Sequence, residues 1–325
     1  MKSTIDIKVI GCGGGGINAV DSMILQGLSG VEFIAINTDI QALMPSLADV
    51  KIDIGRDRTR GLGAGADPNI GRLSAKDSIS EISEVVSGAD VVFVTAGMGG
   101  GTGTGSAPIV AGCAKKAGAL TVGVVTTPFA FEGKKRMNNA LEGINSFSKE
   151  VDTLIVIPNE NLISMLDPEI SMQDAFKEAD NVLLKAIAGI SDLITTPGQI
   201  NIDFADIKRV MKNAGAAFMG IGYADGEDRA EIAGNKAITS PILDVNLNGA
   251  TGVLISIASS GQIKMQEVNK IASLVSEKAH EDADIIFGTV LDEDLEDGIL
   301  VTVIATGFIN EWHSVDLWNH NCIWR

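Results

Sequence analysis

Two stretches of this chain are so dense in glycine that backbone, not side chains, must form whatever surface they present. The first, Gly11-Cys12-Gly13-Gly14-Gly15-Gly16-Ile17-Asn18, follows an apolar run, Ile5–Ile10, and leads into a helical stretch, Ile17–Leu28. The second, Gly97-Met98-Gly99-Gly100-Gly101-Thr102-Gly103-Thr104-Gly105-Ser106, follows the strand-like Val91–Ala96 and opens a helix over Gly105–Gly118. Glycine permits positive φ and removes the Cβ, so consecutive N–H groups and a helix N-terminus can face an anion. The spacing Gly11-x-Gly13-x-x-Gly16 fits a dinucleotide fingerprint, and Asp39 lies about where a ribose-binding acid is expected. One such turn points to an NAD or FAD enzyme, or to a tight turn that binds nothing. Two of them suit a longer phosphate chain. A third small-residue loop, Gly61–Ala66, either closes over a terminal phosphate or is a plain surface connection. The hydroxyls of Thr102 and Thr104 add donors or approach a Mg²⁺-bound water. No G-x-x-x-x-G-K-[ST] occurs, which excludes a P-loop protein.

Around these loops the chain alternates strands and helices. Val31–Asn37, Val50–Ile54, Leu120–Thr126 and Thr153–Ile157 read as further strands, with helices over Pro68–Ser87 and Lys134–Lys149. Continuous β-branched runs between helices predict an α/β fold with a doubly wound, mostly parallel nucleotide-binding sheet. A long central helix, Ser171–Leu193, follows. Beyond it, strands at Phe218–Tyr223, Gly252–Ser259, Ile285–Leu291 and Ile299–Thr306 enclose helices Arg229–Ile238 and Met265–Ala279. These predict a second, smaller α/β domain with a mixed sheet. The expected division is 1–170, a connecting helix 171–195, a second domain 196–308 and a tail 309–325.

Hydrophobic residues make up 45% and charged residues 21%, enough apolar matter for two cores and too much for disorder along the whole length. Lys and Arg number 25 against 42 Asp and Glu, so the net charge is 25 − 42 = −17. A surface that acidic repels phosphate backbones and anionic lipid, which argues against nucleic-acid partners. No apolar run approaches the ~20 residues of a membrane span, so no direct membrane insertion is expected, and the opening residues do not read as a secretory signal. Cys12, Cys113 and Cys322 are too scattered for a metal cluster and too few for a disulfide framework; they read as thiols of a reducing cytoplasm.

The motifs GCGGGGINAV, AINTD, GLGAGADP, GGGTGTG, PFAFEGKKR, IPNENL, DAFKEADNVL and TTPGQINIDFADIKRVM occur in this order. Together they closely resemble the FtsZ family, the bacterial cell-division homologues of tubulin, from about Ile5 to Phe308. The resemblance implies a GTPase that binds GTP or GDP, with Mg²⁺ carried by the nucleotide phosphates and no protein metal site. It implies phosphate contacts from Gly14, Gly15, Gly16, Ile17 and Asn18, from Gly101, Thr102 and Gly103, and from Ala64 and Gly65 near the γ-phosphate. Glu132 and Arg136 match a ribose-contacting pair, although their i, i+4 spacing equally allows a plain helix-surface ion pair. Asn159, Phe176 and Asp180 match the base site. A carboxylate at Asp180 can accept both N1–H and the 2-amino group of guanine, which adenine cannot offer; Phe176 alone reads equally as core.

In the segment Asn201-Ile202-Asp203-Phe204-Ala205-Asp206, the two acids alone look like helix capping residues. The resemblance makes this the loop that enters the nucleotide site of the next subunit, with Asn201, Asp203 and Asp206 catalytic. The implied protein is a head-to-tail homopolymer forming a cytoplasmic ring at midcell. The alternatives are an NAD- or FAD-binding oxidoreductase and a low-turnover segregation filament. The family usually carries a C-terminal peptide that docks membrane tethers, and none is found here. The ending GFINEWHSVDLWNHNCIWR holds all three tryptophans; it reads as an interaction peptide, a packed arm or foreign sequence.

Overall fold

The computed structural model describes residues 5–163, 166–167, 169–196, 198–243, 247–261 and 263–308. The tryptophan-bearing tail lies outside the described residues. Two compact units emerge, meeting in sequence at Ile187 and Ala188.

The first unit runs β1 (Ile7–Cys12), α1 (Gly13–Leu25), β2 (Glu32–Asn37), α2 (Ile40–Leu43), β3 (Val50–Asp53), α3 (Pro68–Asp77), α4 (Ile79–Val86), β4 (Val91–Gly97), α5 (Thr102–Ala117), β5 (Leu120–Thr127), α6 (Lys134–Phe147), β6 (Thr153–Pro158) and α7 (Asn159–Ile163). It closes with the first part of α8 (Met172–Thr195). Its strands lie in the order β3-β2-β1-β4-β5-β6, and every pair is parallel. All residues of β1, β5 and β6 are buried. Since alternate residues point to opposite faces, both faces of the sheet are covered. One face meets α3 to α6, through Ala75, Ile82, Val86, Ala107, Val110, Ala140, Ile144 and Phe147. Helix α1 packs on β1, β2 and β4. The chain leaves β1 toward β2 on one side and returns to β4 on the other. The crevice beyond the carboxyl ends of β1 and β4 is therefore the topological switch point where open α/β sheets bind ligands. Both glycine-rich stretches follow these two strands.

The second unit runs from the remainder of α8 through α9 (Phe204–Met211), β7 (Gly215–Ala224), α10 (Arg229–Ile238), β8 (Gly252–Ser259), α11 (Met265–Ser276), β9 (Asp284–Leu291) and β10 (Ile299–Thr306). Its order is β7-β10-β8-β9, with β10 antiparallel to β7 and β8, and β8 parallel to β9. That is the expected mixed sheet.

Several boundaries depart from the sequence reading. Helix α1 begins at Gly13 and α5 at Thr102, earlier than Ile17 and Gly105. Glycine is a poor helix former, so propensity places these residues in loops, whereas packing between the two stretches winds them into the first turns. The single helix expected over Pro68–Ser87 is two, broken at Ser78. Helices α2 and α7 are additional, whereas α9 starts where the Asp203 and Asp206 pattern reads a helix start.

Candidate nucleotide site and hydrolytic loop

The two glycine stretches press directly on each other. A Cβ on Gly13, whose φ is +70°, would stand 2.6 Å from the Gly103 nitrogen, and one on Gly103 would stand 2.8 Å from the Cys12 carbonyl oxygen. The third loop joins them: a Cβ on Gly101 would meet the Ala64 Cβ at 2.8 Å and the Asp67 nitrogen at 2.9 Å. Behind this contact, Thr38 Oγ1 and Thr102 Oγ1 share a buried hydrogen bond of 2.6 Å. Thr104 is spent on loop shape as well, since its Oγ1 accepts the Gly99 N–H at 2.8 Å.

The three loops thus form one backbone-lined cradle. Gly14, Gly15 and Gly65 are exposed within it, and a Cβ at Gly14 or Gly65 would meet nothing within 4 Å. Helices α1 and α5 start here with no acidic residue in the first turn of either, so both positive helix ends are available to an anion. Gly16, Gly101, Thr102 and Gly103 are buried, Asn18 is exposed, and the Ile17 side chain points into the core. Only the backbone of Ile17 is left for a ligand. Cys12, at the N-cap of α1, is fully buried, and burial pushes its thiol up to about 12.

A chain of contacts leads from the cradle to the other candidates. Arg136 lies against Gly99, where an added Cβ would meet the Arg136 carbonyl oxygen at 2.6 Å. Its Nε pairs with Glu132 Oε2 at 3.1 Å, so the plain i, i+4 ion pair does form. The other carboxylate oxygen of Glu132 accepts the Phe129 N–H at 2.9 Å, folding a short 3₁₀ turn, Ala130–Glu132. From that turn the Ala130 N–H reaches Glu160 Oε2 at 2.9 Å, next to Asn159. Phe129 meets Phe176 edge-on at 5.3 Å, and Phe131 meets it at 6.2 Å. Asn159 is buried with its Oδ1 unbonded. An orphaned acceptor there, together with an open backbone cradle, fits a bound polar ligand. Asp180, four residues after Phe176 on α8, is a half-buried carboxyl that burial pushes up to about 7.

Asp39, at the position of the ribose acid in the dinucleotide fingerprint, has a role in the fold: its Oδ1 accepts the N–H groups of Gln41 and Ala42 and caps α2. Asp67, beside Gly101, likewise caps α3 through the Asn69 N–H.

Asn201, Asp203 and Asp206 all lie in the second unit. Asp203 occupies the N-cap position of α9, but its side chain makes no capping hydrogen bond. Asn201 Oδ1 accepts the Gly198 N–H at 2.8 Å and so closes the loop on itself. The loop is fixed to β9 at Thr289, whose N–H donates to the Ile200 carbonyl at 3.0 Å and whose Oγ1 accepts the Ile200 N–H at 2.9 Å. Asp206 Oδ1 receives Arg209 Nη1 at 2.7 Å. Thr289 lies 89 residues from Ile200, and Arg209, besides its neighbour Asp206, also reaches Asp284 75 residues away; sequence reasoning passed over both.

Comparison with known proteins agrees with this geometry. The tubulin/FtsZ family GTPase domain matches residues 6–167, and the FtsZ family C-terminal domain matches residues 215–309. An empty FtsZ dimer from M. jannaschii is 47% identical with a TM-score of 0.91, covering 94% of this chain and 89% of that one. CetZ1 from Haloferax volcanii, a GDP-bound monomer, is 21% identical with a TM-score of 0.83, covering 97% of this chain and 98% of that one, and shares the fold. With a backbone cradle at the switch point, both family domains in order and nearly half its residues shared with an FtsZ over almost the whole length, the chain belongs to the FtsZ family and is a tubulin-like GTPase.

Proposed function

We propose that the chain assembles head to tail into protofilaments and hydrolyses GTP where two subunits meet, as the cytoskeletal ring of cell division at midcell. The triphosphate lies in the cradle, against Gly14, Gly15, Gly16, the Ile17 backbone, Asn18, Ala64, Gly65, Gly101, Thr102 and Gly103. Mg²⁺ arrives on the phosphates and offsets their charge. Glu132 and Arg136 hold the ribose, Phe176 lies against the base, and Asn159 and Asp180 read its polar edge. Asn201, Asp203 and Asp206 of the neighbouring subunit orient the attacking water. As it bonds to the γ-phosphorus, the bond to the β-phosphate bridge breaks, GDP leaves, and a carboxylate takes the water's proton.

One observation carries this reading. The acids bordering the cradle, Asp39 and Asp67, are engaged as caps, whereas the Asp203 carboxylate in the second unit is not. A shared site draws its base from another copy of the chain, and a heterologous contact of that kind propagates as an open filament.

Turnover against protein concentration tests it. Activity per subunit should be near zero below a threshold and rise steeply above it. Asp206→Ala should bind GTP and assemble yet hydrolyse slowly, while Gly103→Ser fails to bind GTP and keeps its acids. Mixing the two should restore some hydrolysis. Strictly linear turnover with no rescue would return both aspartates to a role in the fold.

A further inference from the structure

Arg209 lies one turn beyond Asp206 on α9 and touches two carboxylates at once. Its Nη1 donates to Asp206 Oδ1 at 2.7 Å, its Nε to Asp284 Oδ2 at 2.7 Å, and its Nη2 to Asp284 Oδ1 at 3.3 Å. Asp284 begins β9, the strand that also holds the loop through Thr289. The planar guanidinium is therefore clamped on one edge by a fork to Asp284, and its remaining edge presents a fixed donor to Asp206.

Stability does not account for this arrangement. The three side chains are 40–57% exposed, and exposed ion pairs contribute little to folding. Capping does not account for it either, because an acid in the first turn of α9 is favoured by the helix dipole without an arginine. The neighbouring cation, Lys208, lies over the Phe204 ring at 5.8 Å. What the clamp does accomplish is geometric. It holds Asp206 by one oxygen and leaves Oδ2 unbonded among the described residues.

We infer that Arg209, braced by Asp284, is a positioning residue for hydrolysis, holding the Asp206 carboxylate so that Oδ2 faces the water. This rests on the proposed role of Asp206. A carboxylate that must find its orientation at each turnover is slower than one held there, and a misplacement of about 1 Å costs up to ~100-fold.

The test is GTP turnover of the full chain at saturating GTP, normalised to sedimented polymer, beside the KM for GTP. Arg209→Ala should lower kcat about tenfold with KM unchanged, since binding groups are untouched. Arg209→Lys should recover part of the loss, because an ammonium reaches one carboxylate but cannot fork to the second. Asp284→Ala should lower kcat less, and the double variant should be no slower than Arg209→Ala, as expected of residues acting through one contact. Parental turnover in Asp206→Ala would overturn the reading of the loop and the clamp with it. A slow Asp206→Ala beside a parental or faster Arg209→Ala overturns the clamp alone.

Discussion

The hydroxyls of Thr38 and Thr102 lie 2.6 Å apart in the interior, tying the end of β2 to the first residue of α5. This bond lies beneath the junction of the glycine loops, so cradle shape and fold stability are coupled through it. Thr38→Val keeps the volume but leaves the Thr102 hydroxyl without this partner, at a cost of about 1–3 kcal/mol. Chemical denaturation should show that loss, together with weaker GTP binding. Parental stability means the hydroxyl finds another partner.

Gly103→Ala tests the close approach of the loops. The added methyl would stand 2.8 Å from the Cys12 carbonyl oxygen, so one loop must retreat, at about 1–3 kcal/mol for an overpacked contact. Nucleotide binding should be lost before the fold is, which calorimetric GTP titration and thermal melting together resolve. Undiminished GTP affinity would show that the cradle tolerates separation.

In the proposed base site, Asp180 should make binding and stability depend on pH in opposite senses. Burial raises its pKa from 3.8 to about 7. Between those values the unfolded chain is the more ionised, so the stability of the nucleotide-free chain falls as pH rises through the window. Asp180→Asn should flatten that slope. Guanine requires an ionised acceptor, so GTP binding below about pH 7 releases a proton and weakens toward acid. Calorimetry in two buffers of different ionisation enthalpy measures the release, and none near neutral pH would remove Asp180 from the base.

Thr289→Val separates loop anchoring from nucleotide binding. The valine preserves shape but leaves the Ile200 N–H without its 2.9 Å acceptor, which loosens the segment bearing Asn201, Asp203 and Asp206. Turnover should fall several-fold with GTP affinity unchanged. A change in KM alone would place Thr289 outside the hydrolytic step.

Much of the fold was legible because its signals are local. Gly252–Ser259, Ile299–Thr306 and Arg229–Ile238 match their expected bounds, being runs of one character set off by breakers. The strand and glycine pattern likewise located the cradle. The first turns of α1 and α5 were not legible, because propensity opposes a helical glycine and only the facing loop compensates. Nor could sequence order reveal that Asp39 caps a four-residue helix, or that Arg209 reaches an acid 75 positions away. Side-chain pairing over such separations depends on strand order and register, which no local pattern encodes.

The burial of Cys12 has a chemical consequence for the loop it precedes. With its thiol raised to about 12, the thiolate is a vanishing fraction at neutral pH, and the sulfur is closed to solvent. Oxidants and alkylating agents act on exposed thiolates, so this cysteine neither senses peroxide nor accepts an electrophile while the chain is folded. The glycine turn that follows is thereby insulated from redox damage, and alkylation of Cys12 would report unfolding.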